Sequence, residues 1–358
     1  MELKITGEGK VKFIENQDLF KSAKVVFDTR EDSKEREQWH KQRSTTIGGS
    51  EIGSIAGFNK YSSALTVFND KLDLVEKFKG NIHTVFGNRM EPLIREWVQE
   101  DFEKEIGIEL KTYEYPYMMI DKEIPYFSAN IDGIGALSKE WKYRENRDTG
   151  EYWSIEANEL FGLEIKTGSE FLKKMWLGEE IPDSYYLQCQ WYMGVTGLKN
   201  FLIIYMLGKE IKWKVVPRND GDIAALKAVG KNFWENNIIP KMPPEPTGLE
   251  IETKEILYKQ ALDNDIETNV SGGKLSQYSD LNEHIKALEK EKEQLKQLIY
   301  LDLQDSKKGT DGNYKISRWT VKKDSLDTKL LKEKYPKTYS EILKGQTEYV
   351  SLKISVIK

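Results

Sequence analysis

The stretch FGLEIKTG, residues 161–168, sets Glu164 and Lys166 two positions apart among apolar neighbours. Successive side chains of a strand face opposite ways, so the acid and the base share one face while Phe161, Leu163 and Ile165 share the other. Upstream, SANIDGIG ends on Asp132 followed by Gly133, which reads as a strand end running into a turn. If Asp132 meets the Glu164 strand, two carboxylates and the backbone carbonyl of Ile165 form an all-oxygen donor set. Such a set suits Mg²⁺, with Mn²⁺ as a substitute. That cation would turn a bound water into a nucleophile at phosphorus, and Lys166 would orient the water or neutralise phosphate charge. Read alone, Glu-x-Lys on a strand is also a common exposed ion pair, and Asp-Gly is a common turn.

The elements that must hold these groups follow from periodicity. Residues 91–106 place Leu93, Ile94, Trp97, Val98 and Phe102 at helical spacing, with Pro92 in the first turn. A second helix is expected over 183–195 and a third over 221–238. Strands are expected within 112–137, and at FLIIYML and IKWKVVP, joined by Gly208-Lys209. Helices interleaved with strands predict a mixed α/β core. Residues 1–35 read as strand-rich, and a polar insert at 138–160 reads as a hairpin on the rim of the site.

We expect a core over 1–240, a linker over 241–278 opening on KMPPEPTG, and a long amphipathic helix over 279–303. A small α/β region follows over 308–358, with a hairpin at Asp311-Gly312 and a last strand EYVSLKISVI. The long helix either lies on its own domain or pairs with a partner as a coiled coil, which the polar Lys292 interrupts.

Composition narrows the function. The chain has 358 residues and a net charge of -5, so a nucleic-acid surface would have to be a local patch. Its single cysteine, Cys189, excludes a disulfide scaffold and a cysteine-ligated zinc or iron–sulfur site, and fits a reducing cytoplasm. The three histidines are scattered. No apolar run is long enough to span a membrane, and the first residues lack the apolar core of a signal peptide.

Over 36–240 the sequence resembles the YqaJ-type viral recombinases, relatives of phage lambda exonuclease in the PD-(D/E)xK nuclease superfamily. Five blocks carry the resemblance in order: WHKQRSTTIGGSEIGSIAG, GNRMEPLIREW, SANIDGIG, LEIKTGSEF and YYLQCQWYMGVTG. It implies that Arg43 and Ser50 hold a DNA 5′-phosphate, and that Glu91 sits beside metal held by Asp132, Glu164 and the Ile165 carbonyl. It also implies that Lys166 and Gln188 serve catalysis and that Tyr185 meets the DNA, with Gln190 a weaker match. Where the family has proline before the aspartate, this chain has Ile131; Asn130 could still bond a phosphate.

The physics of the residues is compatible with these roles. Arg43 is a fixed-charge fork, and Ser50 follows two glycines at a helix start. Tyr185 and Gln188 share a helix face. As single residues, each also has an ordinary structural reading: surface arginine, N-cap, first-turn acid, packed helix face. Trp191 and Tyr192 read as core.

The resemblance implies a Mg²⁺-dependent 5′→3′ exonuclease on double-stranded DNA ends, making 3′ single strands for a single-strand-annealing partner in a bacterial or phage-infected cytoplasm. A trimeric ring is a possible assembly. A same-fold endonuclease or single-strand nuclease, and a non-catalytic DNA-binding scaffold, are the alternatives.

Overall fold

The run Asn200–Leu207, rich in large aliphatic and aromatic residues, is buried at every position, as a strand covered on both faces must be. It belongs to the centre of the protein in a computed structural model, which describes residues 3–6, 12–30, 33–35, 38, 42–75, 80–145, 152–176, 178, 180–247, 270, 272–322 and 327–342. The chain divides into two units, Met1–Leu257 and Tyr258–Lys358.

In the first unit, β1 (Ile5–Thr6), β2 (Phe13–Ile14) and β3 (Ala23–Asp28) precede α1 (Gly49–Ile55) and α2 (Ala64–Lys71). A long α3 (Ile82–Ile106) follows. Next come β4 (Leu110–Tyr113), β5 (Tyr117–Asp121), β6 (Ser128–Ala129) and β7 (Gly133–Leu137). The insert forms β8 (Trp141–Glu145) and β9 (Tyr152–Ile155), paired antiparallel. Then β10 (Phe161–Gly168) and a 3₁₀ segment (Glu170–Trp176) lead to α4 (Asp183–Thr196), β11 (Asn200–Leu207), β12 (Glu210–Pro217) and α5 (Asp220–Phe233). The second unit holds α6 (Lys274–Leu303), the hairpin β13 (Lys308–Thr310) and β14 (Lys315–Ser317), and the short α7 (Thr328–Lys334) and α8 (Pro336–Ile342).

The main sheet has five strands in the order β12-β11-β10-β7-β4; β10 and β11 are parallel and the other pairs antiparallel. A smaller sheet runs β3-β5-β6. The protein is therefore mixed α/β, as expected. Period-two alternation divides the interior into two cores. On one face Leu163 and Ile165 of β10 and Leu202 and Ile204 of β11 pack with Ile94, Val98 and Phe102 of α3. On the other, Phe201 and Ile203 pack with Cys189, Trp191 and Tyr192 of α4. Glu164 and Lys166 therefore point to the α4 face.

Four expectations need correction. The helix read from residue 91 begins at Ile82, so Glu91 and Pro92 lie inside it and not in its first turn. Asn81 starts that helix by accepting from the amides of His83 and Thr84. Asp132-Gly133 is no turn, because Gly133 opens β7; a Cβ there would lie 2.6 Å from the Tyr113 carbonyl oxygen. The insert is a hairpin, but its described residues do not line the cleft that holds Glu164; Arg144 and Trp153 line another cavity. The long helix begins at Lys274, five residues earlier than expected (279 − 274), and the last strand read at 348–357 lies outside the described residues.

Candidate active site

β7 and β10 pair only as far as Leu163↔Gly133, so β10 runs on past the end of its neighbour while β11 still pairs with it on the other edge. The amide of Ile165 thereby loses its strand partner and donates to Asp132 Oδ2 instead, at 2.7 Å. N–H and C=O of one strand residue point to the same side, so the Ile165 carbonyl faces the edge that β7 leaves open. Asp132 is held where the bond places it, beside the strand that carries Glu164 and Lys166.

Glu164 is almost fully buried. Its Oε1 accepts from Lys166 Nζ at 2.6 Å and from Gln188 Nε2 at 2.7 Å, and its Oε2 is buried with no partner. A buried, unpartnered carboxylate oxygen is costly and marks a position kept for something other than stability. Gln188 also donates to Tyr192 Oη at 3.0 Å, and Tyr192 lies over Gly49, where a Cβ would stand 2.4 Å from its ring. The second glycine of IGGSE thus lets the start of α1 seat against α4, and the network Tyr192–Gln188–Glu164 runs from there to the acid.

Glu91, from α3, bonds the buried Arg95 at 2.7 Å, and Arg95 also reaches Glu114 at 3.4 Å. The acids bear on one another. Burial and the Asp132 charge push Glu164 up to about 8. Burial and Asp132 likewise push Glu91 up to about 8, although Arg95 opposes them. Burial raises Asp132 too, against Lys166 and the Ile165 amide. Burial alone would lower Lys166, but Glu164 and Asp132 more than offset it, so the ammonium stays charged. Among the described residues, no group of three His, Cys, Asp or Glu side chains stands closed as a metal-ligand set. Lys166 and Arg95 instead supply counter-charge to Glu164 and Glu91.

A cleft of about 480 Å³ gathers these groups. Arg43, Ser50, Glu91, Asn130, Asp132, Glu164, Ile165, Lys166 and Gln188 all line it, so nine of the expected residues from five sequence blocks converge. Tyr185 stands one layer back: its ring lies 4.9 Å from Lys166 Nζ and stacks on Trp176. Gln190 turns away, donating to the Pro217 carbonyl and accepting from the Asn219 amide, and its role is to tie α4 to β12. Trp191 is core, as read, with its indole N–H on the Ser128 carbonyl. Tyr192 is buried as expected, but it also reaches the cleft wall.

Several site residues escaped the sequence reading. Lys71, buried, donates to both the Arg43 carbonyl and Glu51 Oε1 at 2.6 Å, fixing the Arg43 turn against α1. Glu51 Oε2 accepts from the Gly48 amide at 2.8 Å and closes the start of that helix. Asn88, Thr84 and Thr167 add polar groups to the cleft. The signal for Glu51 was present, an acid three residues after a Gly-Gly helix start; nothing local announced Lys71 or Arg95.

Residues 38–199 match the model of the YqaJ-like viral recombinase domain, the span that holds every cleft residue named above. Over this span the chain is similar to that family. The chain is 26% identical over 318 residues to a protein of Bacillus subtilis (strain 168) named "Uncharacterized protein YqaJ", covering 86% of this chain and 91% of that one. Among solved structures, it resembles an alkaline exonuclease from Laribacter hongkongensis at 17% identity and a TM-score of 0.41, over 57% of this chain and 93% of that one. A phage-related exonuclease from Haemophilus somnus 129PT matches at 17% identity and a TM-score of 0.32, over 55% and 96%. At these scores the structural likenesses are loose. No helix among the described residues is long and apolar enough to cross a membrane.

Proposed function

We propose that this YqaJ-like chain is a divalent-cation-dependent deoxyribonuclease that degrades double-stranded DNA from its 5′ ends and leaves 3′ single strands for an annealing partner. The observation that carries the reading is Glu164: buried, orphaned at Oε2, and bracketed by Lys166 and Gln188 with Asp132 on the adjoining strand. The donor chemistry fits a hard cation such as Mg²⁺. The orphaned carboxylate oxygen, the Asp132 carboxylate and the open-edge Ile165 carbonyl are oxygen donors, and crowded acids that raise one another gain from a positive charge among them. Glu164, Asp132 and the Ile165 carbonyl would hold it, with Glu91 beside them. When bound, such a cation supplies an acidified water and charge stabilisation at phosphorus.

The chain's own residues do the rest. Lys166, kept cationic by Glu164 and Asp132, orients the attacking water or faces the charge that builds on the phosphate. Gln188, locked by Tyr192, fixes the Glu164 carboxylate and offers a polar group to the water. Arg43 and Ser50 lie in the same cleft, with Ser50 in the first turn of α1, where amide groups and the helix dipole favour an anion. An end phosphate held there would set the scissile bond a short, fixed distance inside the chain end, which favours exonuclease over endonuclease action. Asn130, in the same cleft, is a phosphate donor.

The test is digestion of a linear duplex bearing 5′-phosphates, with and without Mg²⁺, the polarity read from end labels and closed circular duplex run beside it. Loss of label from 5′ ends only, dependent on Mg²⁺ and sparing the circle, is expected. Cleavage of the circle would overturn the end-directed reading, and no nucleotide release under any divalent cation would overturn catalysis itself.

A further inference from the structure

Along α6 the apolar residues Tyr278, Leu281, Ile285, Leu288, Leu295 and Ile299 are each at least two-fifths exposed. Their spacing is regular. Taking Tyr278 as position a of a heptad, positions a are Tyr278, Ile285, Lys292 and Ile299, and positions d are Leu281, Leu288 and Leu295, closing on Asp302. An alternation of three and four residues sets one seam along one side of a helix, and supercoiling of two helices cancels its drift of about 20° per heptad. Beyond the seam the helix end is differently engaged: Leu303 is buried, and a Cβ on Gly309 of β13 would lie 2.7 Å from its side chain. The seam is therefore a defined apolar stripe of about three heptads, exposed among the described residues.

We propose that this stripe pairs with the same stripe of a second copy of the chain, as a parallel, in-register, two-stranded coiled coil. Three features choose this occupant. β-branched isoleucine at a with leucine at d favours two parallel strands over three or four. The flanking charges complement a second copy: in a parallel pair the g residue of one helix meets the following e residue of the other, setting His284 against Glu289 and Glu291 against Lys296. The polar Lys292, which interrupts the stripe, lies at an a position. In a parallel pair its ammonium sits beside Glu291 of the second copy, and a single lysine at a is a device that fixes register and strand number. The inference is independent of the nuclease reading, since no residue of α6 lines the catalytic cleft.

The experiment uses the full chain. Sedimentation equilibrium across a concentration series should give a dimer, and Ile285→Lys with Leu288→Lys should halve the mass while leaving cleavage of a short duplex per chain unchanged. Cys189, the only native cysteine, is buried, so an added thiol reports alone. With oxidised glutathione as oxidant, Leu281→Cys should form a disulfide-linked dimer, and Glu283→Cys, on the opposite face, should not. A monomer at all concentrations, or an oligomer whose mass survives the double lysine variant, would overturn the proposal. So would a dimer that Leu281→Cys fails to cross-link, since an antiparallel pair separates the two Leu281 positions.

Discussion

Among the described residues of the first unit, two fully buried carboxylates, Asp121 and Glu164, each bond a lysine, and they differ in how completely they are satisfied. Asp121, at the end of β5, accepts from Lys227 of α5 at 2.7 Å through Oδ2 and from the amides of Glu123 and Ile124 at 2.8 and 3.1 Å through Oδ1. Both of its oxygens are used, and the lysine bond joins elements more than a hundred residues apart. Glu164 is as deeply buried, and its lysine is as close, yet both donors crowd onto Oε1 and Oε2 has none. Charge and burial are alike in the two pairs; hydrogen-bond completion differs. A finished buried acid is a fastener, whereas an unfinished one next to further acids is, on the proposed function, a place for a ligand.

The largest effect expected from this contrast is on turnover. Glu164→Gln keeps the shape and removes the charge, and DNA hydrolysis should fall by about a thousandfold, while the melting temperature holds or rises because a crowded charge has gone. The corresponding Asp121→Asn should spare hydrolysis per folded molecule. Equal activity losses in the two variants would erase the distinction.

Next in size is stability. Lys227→Met leaves Asp121 buried without its counter-charge and should cost about 3 kcal/mol in chemical denaturation. Lys166→Met should cost less than about 1 kcal/mol, because the neighbouring acids already favour holding a proton, and should abolish cleavage. A large stability loss from Lys166→Met would mean that this pair too is a fastener.

Gln188→Ala should lower kcat by about tenfold with little change in KM, the size expected for losing a group that positions a reacting carboxylate. Tyr192→Phe should act more weakly in the same direction.

The smallest effect is a slope. Glu164 and Glu91 each bind a proton more tightly folded than unfolded, with folded values near 8 against about 4.5. Their contribution is complete below pH 4.5 and fades as pH rises through 8. Without divalent cations the melting temperature should therefore decline between about pH 5 and pH 9, and Glu164→Gln should flatten the decline. Added Mg²⁺ should raise the melting temperature more at pH 9 than at pH 6.

Much of the site was legible because its residues are chemically explicit. Glu164 and Lys166 stand out in an apolar run, since charge on a strand face needs a reason. Asp132 was read from the strand end that carries it, Arg43, Ser50 and Gln188 came through resemblance, and the cleft gathers them all. The start of α3 was missed because HTVFGNRM has no apolar period, although Asn81 is an ordinary cap. Gly133 was misread because a glycine demanded by the Tyr113 carbonyl looks locally like one demanded by a turn. Tyr185 and Gln190 share the helix of Gln188, but only the fold shows that one supports Lys166 from behind and the other faces β12.

By itself the sequence determined the periods, and with them the alternating faces of β10, the helices and the heptad seam of α6, because side-chain direction follows from local backbone geometry. Which acid would be satisfied and which left open was decided only in three dimensions. Hydrogen-bond completion depends on partners from distant segments: the end of β7 that frees the Ile165 amide, the Tyr192 ring resting on Gly49, and Lys71 reaching back to the Arg43 turn. No local pattern encodes those meetings.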